Sequence, residues 1–193
     1  MPNRSLVVRV LRVICLAPVL ACVLAGGAAH ADQTNVALGP LFAQLQASAQ
    51  PDERAQIEHQ IWELWSQSGR AEVDQAFALG ARAMAAGEFK LAVEWFGRVV
   101  ELAPTFAEGW NKRATAHYLA SNLDESVRDI QKTLALEPRH FGALAGMGLI
   151  FMQRGDLAGA LLAFEQVLVV HPYSASAQVH VRELRARLGR GAA

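Results

Sequence analysis

The side chains that most often carry out chemistry are few in this sequence and are not arranged for catalysis. Both cysteines, Cys15 and Cys22, lie within residues 1–31. No phosphate-binding glycine loop, His-Glu-x-x-His or Gly-x-Ser-x-Gly sequence is present. The later histidines include no i, i+4 pair that could share a metal ion on a helix; they are His59, His117, His140, His171 and His180. We therefore expect that the protein is not an enzyme and that it has no metal site and no cofactor.

The composition favours a helical protein without a nucleic-acid partner. Hydrophobic residues make up 52% of the 193 residues and aromatic residues 7%. Ala and Leu dominate, and both are strong helix formers. The formal net charge is zero, which gives no reason to expect nucleic acid as a ligand. Residues 1–31 contain three arginines and no acid, so the remainder carries 15 basic and 18 acidic residues.

The segment 1–31 has the three-part organisation of a secretory signal. A basic start precedes an uninterrupted apolar run from Val13 to Leu24, and small residues lead to Ala29-His30-Ala31. The pattern predicts cleavage after Ala31 and a periplasmic location, because the apolar run is shorter than the ~20 residues of a membrane span. Two alternatives remain, an uncleaved membrane anchor and a lipid on Cys22. Membrane contact is expected only in these two cases.

The rest of the chain is periodic, and one period spans about 34 residues. Each period reads as two helices joined by a short turn; in the last one these are residues 141–153 and 157–170, followed by a proline that cannot continue a helix. Small residues in both helices allow close approach, and larger ones are expected to fill the gap between repeats. The recurring sets are Pro104, Pro138 and Pro172; Leu102, Leu136 and Val170; Ala92, Ser126 and Ala160; and Phe96, Ile130 and Phe164.

These residues resemble the tetratricopeptide repeat (TPR), whose pattern is W-x2-L-G-x2-Y…A-x3-F…P. The three matches begin at Ala76, Trp110 and Leu144 and end at the three prolines. The resemblance implies an all-α TPR solenoid with repeats at 70–106, 107–140 and 141–174. Three segments also resemble small exported TPR proteins of alphaproteobacterial type: residues 61–65, 108–114 and 136–141.

A stack of repeats needs ends that face water. Residues 175–193 continue the register as a C-terminal capping helix and tail. We expect its arginines to be solvated; contact with anionic lipid or with an acidic partner is the alternative. Upstream, residues 37–48 and 51–66 read as two helices. We expect this pair, within residues 32–69, to be an N-terminal cap of the stack or a degenerate fourth repeat.

The resemblance also indicates where a partner would bind. In TPR proteins the first helix of each repeat lines a concave groove, which the N-terminal helices could partly cover. The expected groove residues are Phe77, Ala81, Met84, Asn111, Lys112, Thr115, Tyr118, Ala145, Leu149 and Met152. TPR domains that clamp acidic peptides carry Lys, Asn and Arg along this groove, whereas the matching positions here are Phe77, Ala81, Gly142 and Gly146. We therefore expect no clamp of that kind.

Repeat two departs from the pattern at Arg113 and His117. The two residues are either an anchor for a ligand carboxylate or a buried, satisfied polar network, which is the interpretation we favour. Glu101, Glu108 and Asp129 are the candidate partners for the cation.

The sequence thus predicts a periplasmic adaptor or scaffold that binds a peptide or helix and helps to assemble an envelope complex. One alternative is a membrane- or lipid-tethered structural subunit of such a complex. A remote alternative is a metal-dependent hydrolase.

Overall fold

The computed structural model describes residues 35–191, and the expected signal sequence with Cys22 lies outside them. Within this range the chain forms nine α-helices and no strand. They are α1 (Leu38–Ala47), α2 (Pro51–Trp65), α3 (Ala71–Ala85), α4 (Phe89–Leu102), α5 (Ala107–Leu119), α6 (Leu123–Leu136), α7 (Phe141–Gln153), α8 (Leu157–Val170) and α9 (Ala175–Gly191). No helix in this part of the chain is long and apolar enough to cross a membrane.

The turn inside each repeat depends on one residue in the left-handed region. This residue is Gly87, Ser121 or Gly155, with φ of 74°, 63° and 78° respectively. Glycine adopts this conformation without a Cβ clash, whereas a residue with a side chain pays roughly 1 kcal/mol. The three positions are separated by the same interval as the recurring prolines, so the backbone geometry repeats with the sequence.

Each repeat is held together by a large side chain on its second helix that packs against a small residue on its first. A Cβ added to Gly80 would lie 2.7 Å from the Phe96 ring, and one added to Gly148 would lie 2.7 Å from Phe164. The sequence predicts these phenylalanines in the gap between repeats. Their rings pack against the first helix of their own repeat, and the Phe164 ring also stacks on His180 of α9, with centroids 4.4 Å apart. Helix α5 in turn packs on α4 across repeats, since Gly109 leaves room for Val99.

The C-terminal end is covered by α9, which packs against α8 through the buried side chains of Val181 and Leu184. At the other end the stack begins with α3 itself. The positions of α5 that face α4, Gly109 and Ala116, correspond in α3 to Gln75 and Arg82, which are exposed. Repeat one therefore already presents a polar end to solvent.

The N-terminal hairpin, α1 and α2, is not an end cap of this stack. Its buried residues Phe42, Ile61 and Trp65 belong to the same core cluster as Phe141 and Phe164 of repeat three. Because the end of α3 is polar, these large apolar side chains find their partners on repeat three and α9 instead. The hairpin therefore folds back along the stack.

Candidate functional site

The N-terminal hairpin docks on the connections between repeats. The Trp65 indole stacks on the His140 imidazole, with ring centroids 4.2 Å apart and planes 7° from parallel. At the next connection, Glu58 lies 3.3 Å from Nε2 of His171. The hydrogen bond to His171, opposed by burial, lowers the pKa of the Glu58 carboxyl. His140 and His171, which lie beside Pro138 and Pro172 in the sequence, thus hold the hairpin.

Helix α2 also reaches the face formed by the first helices of the repeats, which we call the first-helix face. Here Trp62 packs on Gly142 of α7, where an added Cβ would come within 2.7 Å of the indole. The ammonium group of Lys112 lies 5.6 Å from the Trp62 ring, a cation–π distance. The hairpin therefore covers one end of this face and leaves the remainder open.

The open part contains a cavity between α5 and α7, which we call the groove pocket. Its volume is about 180 Å³, below the ~300–1,000 Å³ of most small-molecule sites, so it suits a single side chain of a partner. None of its residues is charged. It is lined by Asn111, Ala114, Thr115, Tyr118, Ser126, Ile130, Gly142, Ala145, Gly146 and Leu149.

The structure brings together half of the expected groove residues in this pocket: Asn111, Thr115, Tyr118, Ala145 and Leu149. The others lie elsewhere. The Phe77 ring and Met84 pack into the core of repeat one, and Met152 packs against the cluster that contains Phe164. Ala81 is exposed, away from the pocket, and Lys112 lies beside Trp62.

The buried carboxylate of Glu108 holds two polar residues at the groove pocket, Asn111 and Lys112. Glu108 is fully buried; Asn111 donates a 2.8 Å hydrogen bond to it, and Lys112 lies 3.1 Å away. His140 accepts the backbone N–H of Ala143 through Nδ1, so its Nε2 carries the proton that it donates to Glu108 at 2.8 Å. Burial acts to raise the pKa of Glu108, but this bond and the nearby cation outweigh it and the pKa is lowered. The negative charge of Glu108 therefore compensates the positive charge of Lys112.

Arg113 and His117 lie outside the groove pocket, in a separate surface cavity between α5 and α6. The Arg113 guanidinium donates two 2.7 Å hydrogen bonds to Asp129 and lies over the Trp110 ring at 4.7 Å. Burial lowers the pKa of His117, although Asp129 partly opposes the shift. Asp129 is thus the acid, among the three candidates, that pairs with the cation, and the ion pair lies within repeat two.

The sequence allowed the N-terminal helices to cover part of the groove, but it did not indicate that α2 supplies lining residues of the site. Trp62, Ala55 and Glu58 share one face of α2 at spacings of three and four residues, and that periodicity was visible. The sequence did not show which surface this face would cover. Within the described residues, no group of three or more His, Cys, Asp or Glu side chains could hold a metal ion.

Three tandem helical hairpins, each with a left-handed residue in its turn, define a helical-repeat protein. A TPR repeat-containing protein from Rhizobium etli is 34% identical over 151 residues, which cover 78% of this chain and 74% of that protein. The chain belongs to the tetratricopeptide-repeat family, whose members mediate protein–protein interactions. No family model matches the sequence.

Solved structures share the fold at low sequence identity. The Sgt2 TPR domain from Aspergillus fumigatus superposes with a TM-score of 0.59 at 19% identity, over 63% of this chain and 82% of that one. The first TPR of Spaghetti (RPAP3), bound to the HSP90 peptide SRMEEVD, gives a TM-score of 0.56 at 20% identity, over 59% and 93%. Both likenesses concern the fold alone.

Proposed function

We propose that this protein is an exported TPR adaptor of the bacterial envelope, whose groove pocket holds a side chain of a partner protein. The observation that carries the proposal is the pocket itself. It is open to solvent and uncharged, and it lies where the first helices of repeats two and three meet. A preformed pocket of this kind binds at a low cost in conformational entropy.

The signal-like start of the sequence supports an envelope location, and the absence of catalytic motifs supports a binding role. Assembly or maintenance of an envelope complex is the setting that we propose. Cell fractionation combined with the mass of the mature N-terminus tests the location. A soluble periplasmic chain that begins at Asp32 supports it, whereas a lipid on Cys22 or a retained apolar segment would favour the tethered alternative.

Site-specific photo-crosslinking in the native cell tests the binding site. A photoreactive residue replaces Leu149, which is 36% exposed beside the groove pocket, or Leu162, a matched leucine 63% exposed on α8. We expect a defined adduct from position 149 and none of the same mass from position 162. An adduct from Leu162 alone would move the binding site away from the first-helix face.

Two glycine substitutions then test whether the crosslinked adduct depends on an open groove pocket. Gly146→Leu fills the pocket, since the nearest atom to an added Cβ is Ile130 Cδ1 at 3.4 Å. Gly97→Leu is the control, because nothing lies within 4 Å of its added Cβ. Both are helical glycines, so both substitutions raise helix propensity by up to ~1 kcal/mol. We expect only Gly146→Leu to abolish the adduct.

A further inference from the structure

The groove pocket lies next to a second cavity, which we call the hairpin cavity. The hairpin cavity has a volume of about 420 Å³ and lies between α2, α7 and the start of α9. The two cavities share Gly142 and Ala145 of α7. From Gly142 to Leu149 the helix rises ~10 Å, the span of at least three extended residues. The open surface therefore accommodates a segment as well as a single side chain.

One wall of the hairpin cavity comes from outside the repeats. Ala55, Glu58 and Trp62 of α2 line it, opposite Tyr173 and Ser176 near the start of α9. The Arg54 guanidinium closes this end, 4.2 Å from the Tyr173 ring and bonded to the Ser48 carbonyl at 3.2 Å. The repeats alone would leave this side of the groove open, so the N-terminal hairpin completes it.

The charges along both cavities cancel. The groove pocket contains none, and Lys112 at its edge is neutralised by the buried carboxylate of Glu108. In the hairpin cavity the lining residues Arg54 and Glu58 have opposite formal charges, although the Glu58 carboxylate bonds to His171 and the Arg54 guanidinium lies over the Tyr173 ring. An acidic segment would leave water for cavities whose lining carries no net positive charge, so little would offset the desolvation of its carboxylates.

We infer that the two cavities form one composite site for an uncharged segment of a partner protein, with an apolar side chain in the groove pocket and its neighbouring residues over Trp62 in the hairpin cavity. The inference rests on the proposed function and adds to it the chemistry of the ligand and the role of the hairpin. The N-terminal hairpin is thus part of the binding site, and the repeats supply the other wall.

Selection from a random dodecapeptide library on the full-length protein tests the inference. The variants are Gly146→Leu, which fills the groove pocket, and Ala55→Trp, which fills the hairpin cavity. The control is Gln56→Trp, at an exposed neighbouring position of α2 that lines neither cavity. Circular dichroism of each variant establishes that it folds before selection begins.

We expect the wild type and the control to enrich peptides rich in Leu, Ile, Met or Phe, with no excess of Asp or Glu. Both cavity-filling variants should lose at least ten-fold in that enrichment. If only Gly146→Leu loses it, the proposed function stands and the composite site is wrong. If acidic peptides are enriched, the neutral chemistry of the ligand is wrong. If neither variant changes the selection, the groove pocket is not the binding site and the proposed function fails as well.

Discussion

The Arg113–Asp129 pair allows a quantitative prediction about stability, because repeat three carries apolar residues at the same two positions. At the equivalent positions, one repeat later, the chain carries Met147 and Ala163. The Asp129 side chain is 5% exposed and that of Arg113 is 22% exposed. Arg113→Met therefore strands a buried carboxylate, whereas Asp129→Ala leaves a guanidinium that can turn towards water.

The expected losses in the free energy of unfolding follow from these exposures. We expect Arg113→Met to cost about 3 kcal/mol, at the lower end for breaking a buried pair. Asp129→Ala should cost about 1–2 kcal/mol, because the cation stays partly solvated. The double variant, which copies repeat three, should lie within about 1 kcal/mol of wild type, since a buried pair is often replaced by apolar residues at little cost. The coupling energy is then at least about 3 kcal/mol.

Urea denaturation followed by circular dichroism measures all four proteins of the cycle. The exposed pair Arg128–Glu125 on α6 provides a matched control, for which a coupling of only ~0.3 kcal/mol is expected. If the costs of Arg113→Met and Asp129→Ala are additive, with a coupling no larger than that of the control, the pair is not a buried unit and the reasoning is refuted.

Three further predictions concern packing and pH. Gly148→Ala should destabilise the protein by about 1–3 kcal/mol, because its new Cβ meets the Phe164 ring. The control Gly97→Ala should stabilise it by up to ~1 kcal/mol. Thermal melts that give the two variants equal stability would contradict the packing of Gly148 against Phe164. Trp65→Ala should cost about 3–5 kcal/mol, because the indole is 1% exposed, and hydrogen exchange should rise in α1 and α2 rather than in α3. Burial lowers the pKa of His117 below its ordinary value of 6.5, so the unfolded chain binds the proton more readily than the folded chain. The free energy of unfolding should therefore fall as the pH drops below 6.5. His117→Gln should reduce this dependence of stability on pH, and an unchanged dependence would be evidence against the pKa shift.

The repeat architecture could be predicted from the sequence because its determinants are local. Proline ends each second helix, and a left-handed residue makes each turn, so the expected helices at 141–153 and 157–170 coincide with α7 and α8. The all-α TPR fold is confirmed by the relative from Rhizobium etli and by the solved TPR domains.

The position of the N-terminal hairpin could not be predicted in this way. Its helices have apolar faces at helical spacing, but periodicity does not say which distant surface a face covers. The decisive contacts, such as Trp65 on His140 and Trp62 on Gly142, join residues that are far apart in the sequence. For the same reason the expected groove residues divide between an open pocket and the repeat cores. Phe77 and Asn111 occupy the same position of successive repeats, and only the packing around them puts one in the core and the other in the pocket.

The central claim is that the groove pocket holds a partner's apolar side chain. The most direct test is the affinity of the segment captured at position 149, titrated into purified wild-type, Gly146→Leu and Gly97→Leu proteins by isothermal calorimetry. Burial of one apolar side chain contributes roughly 1.5–3 kcal/mol, so we predict that Gly146→Leu weakens binding at least ten-fold and that Gly97→Leu leaves it unchanged. Equal affinity of the segment for all three proteins would contradict the claim.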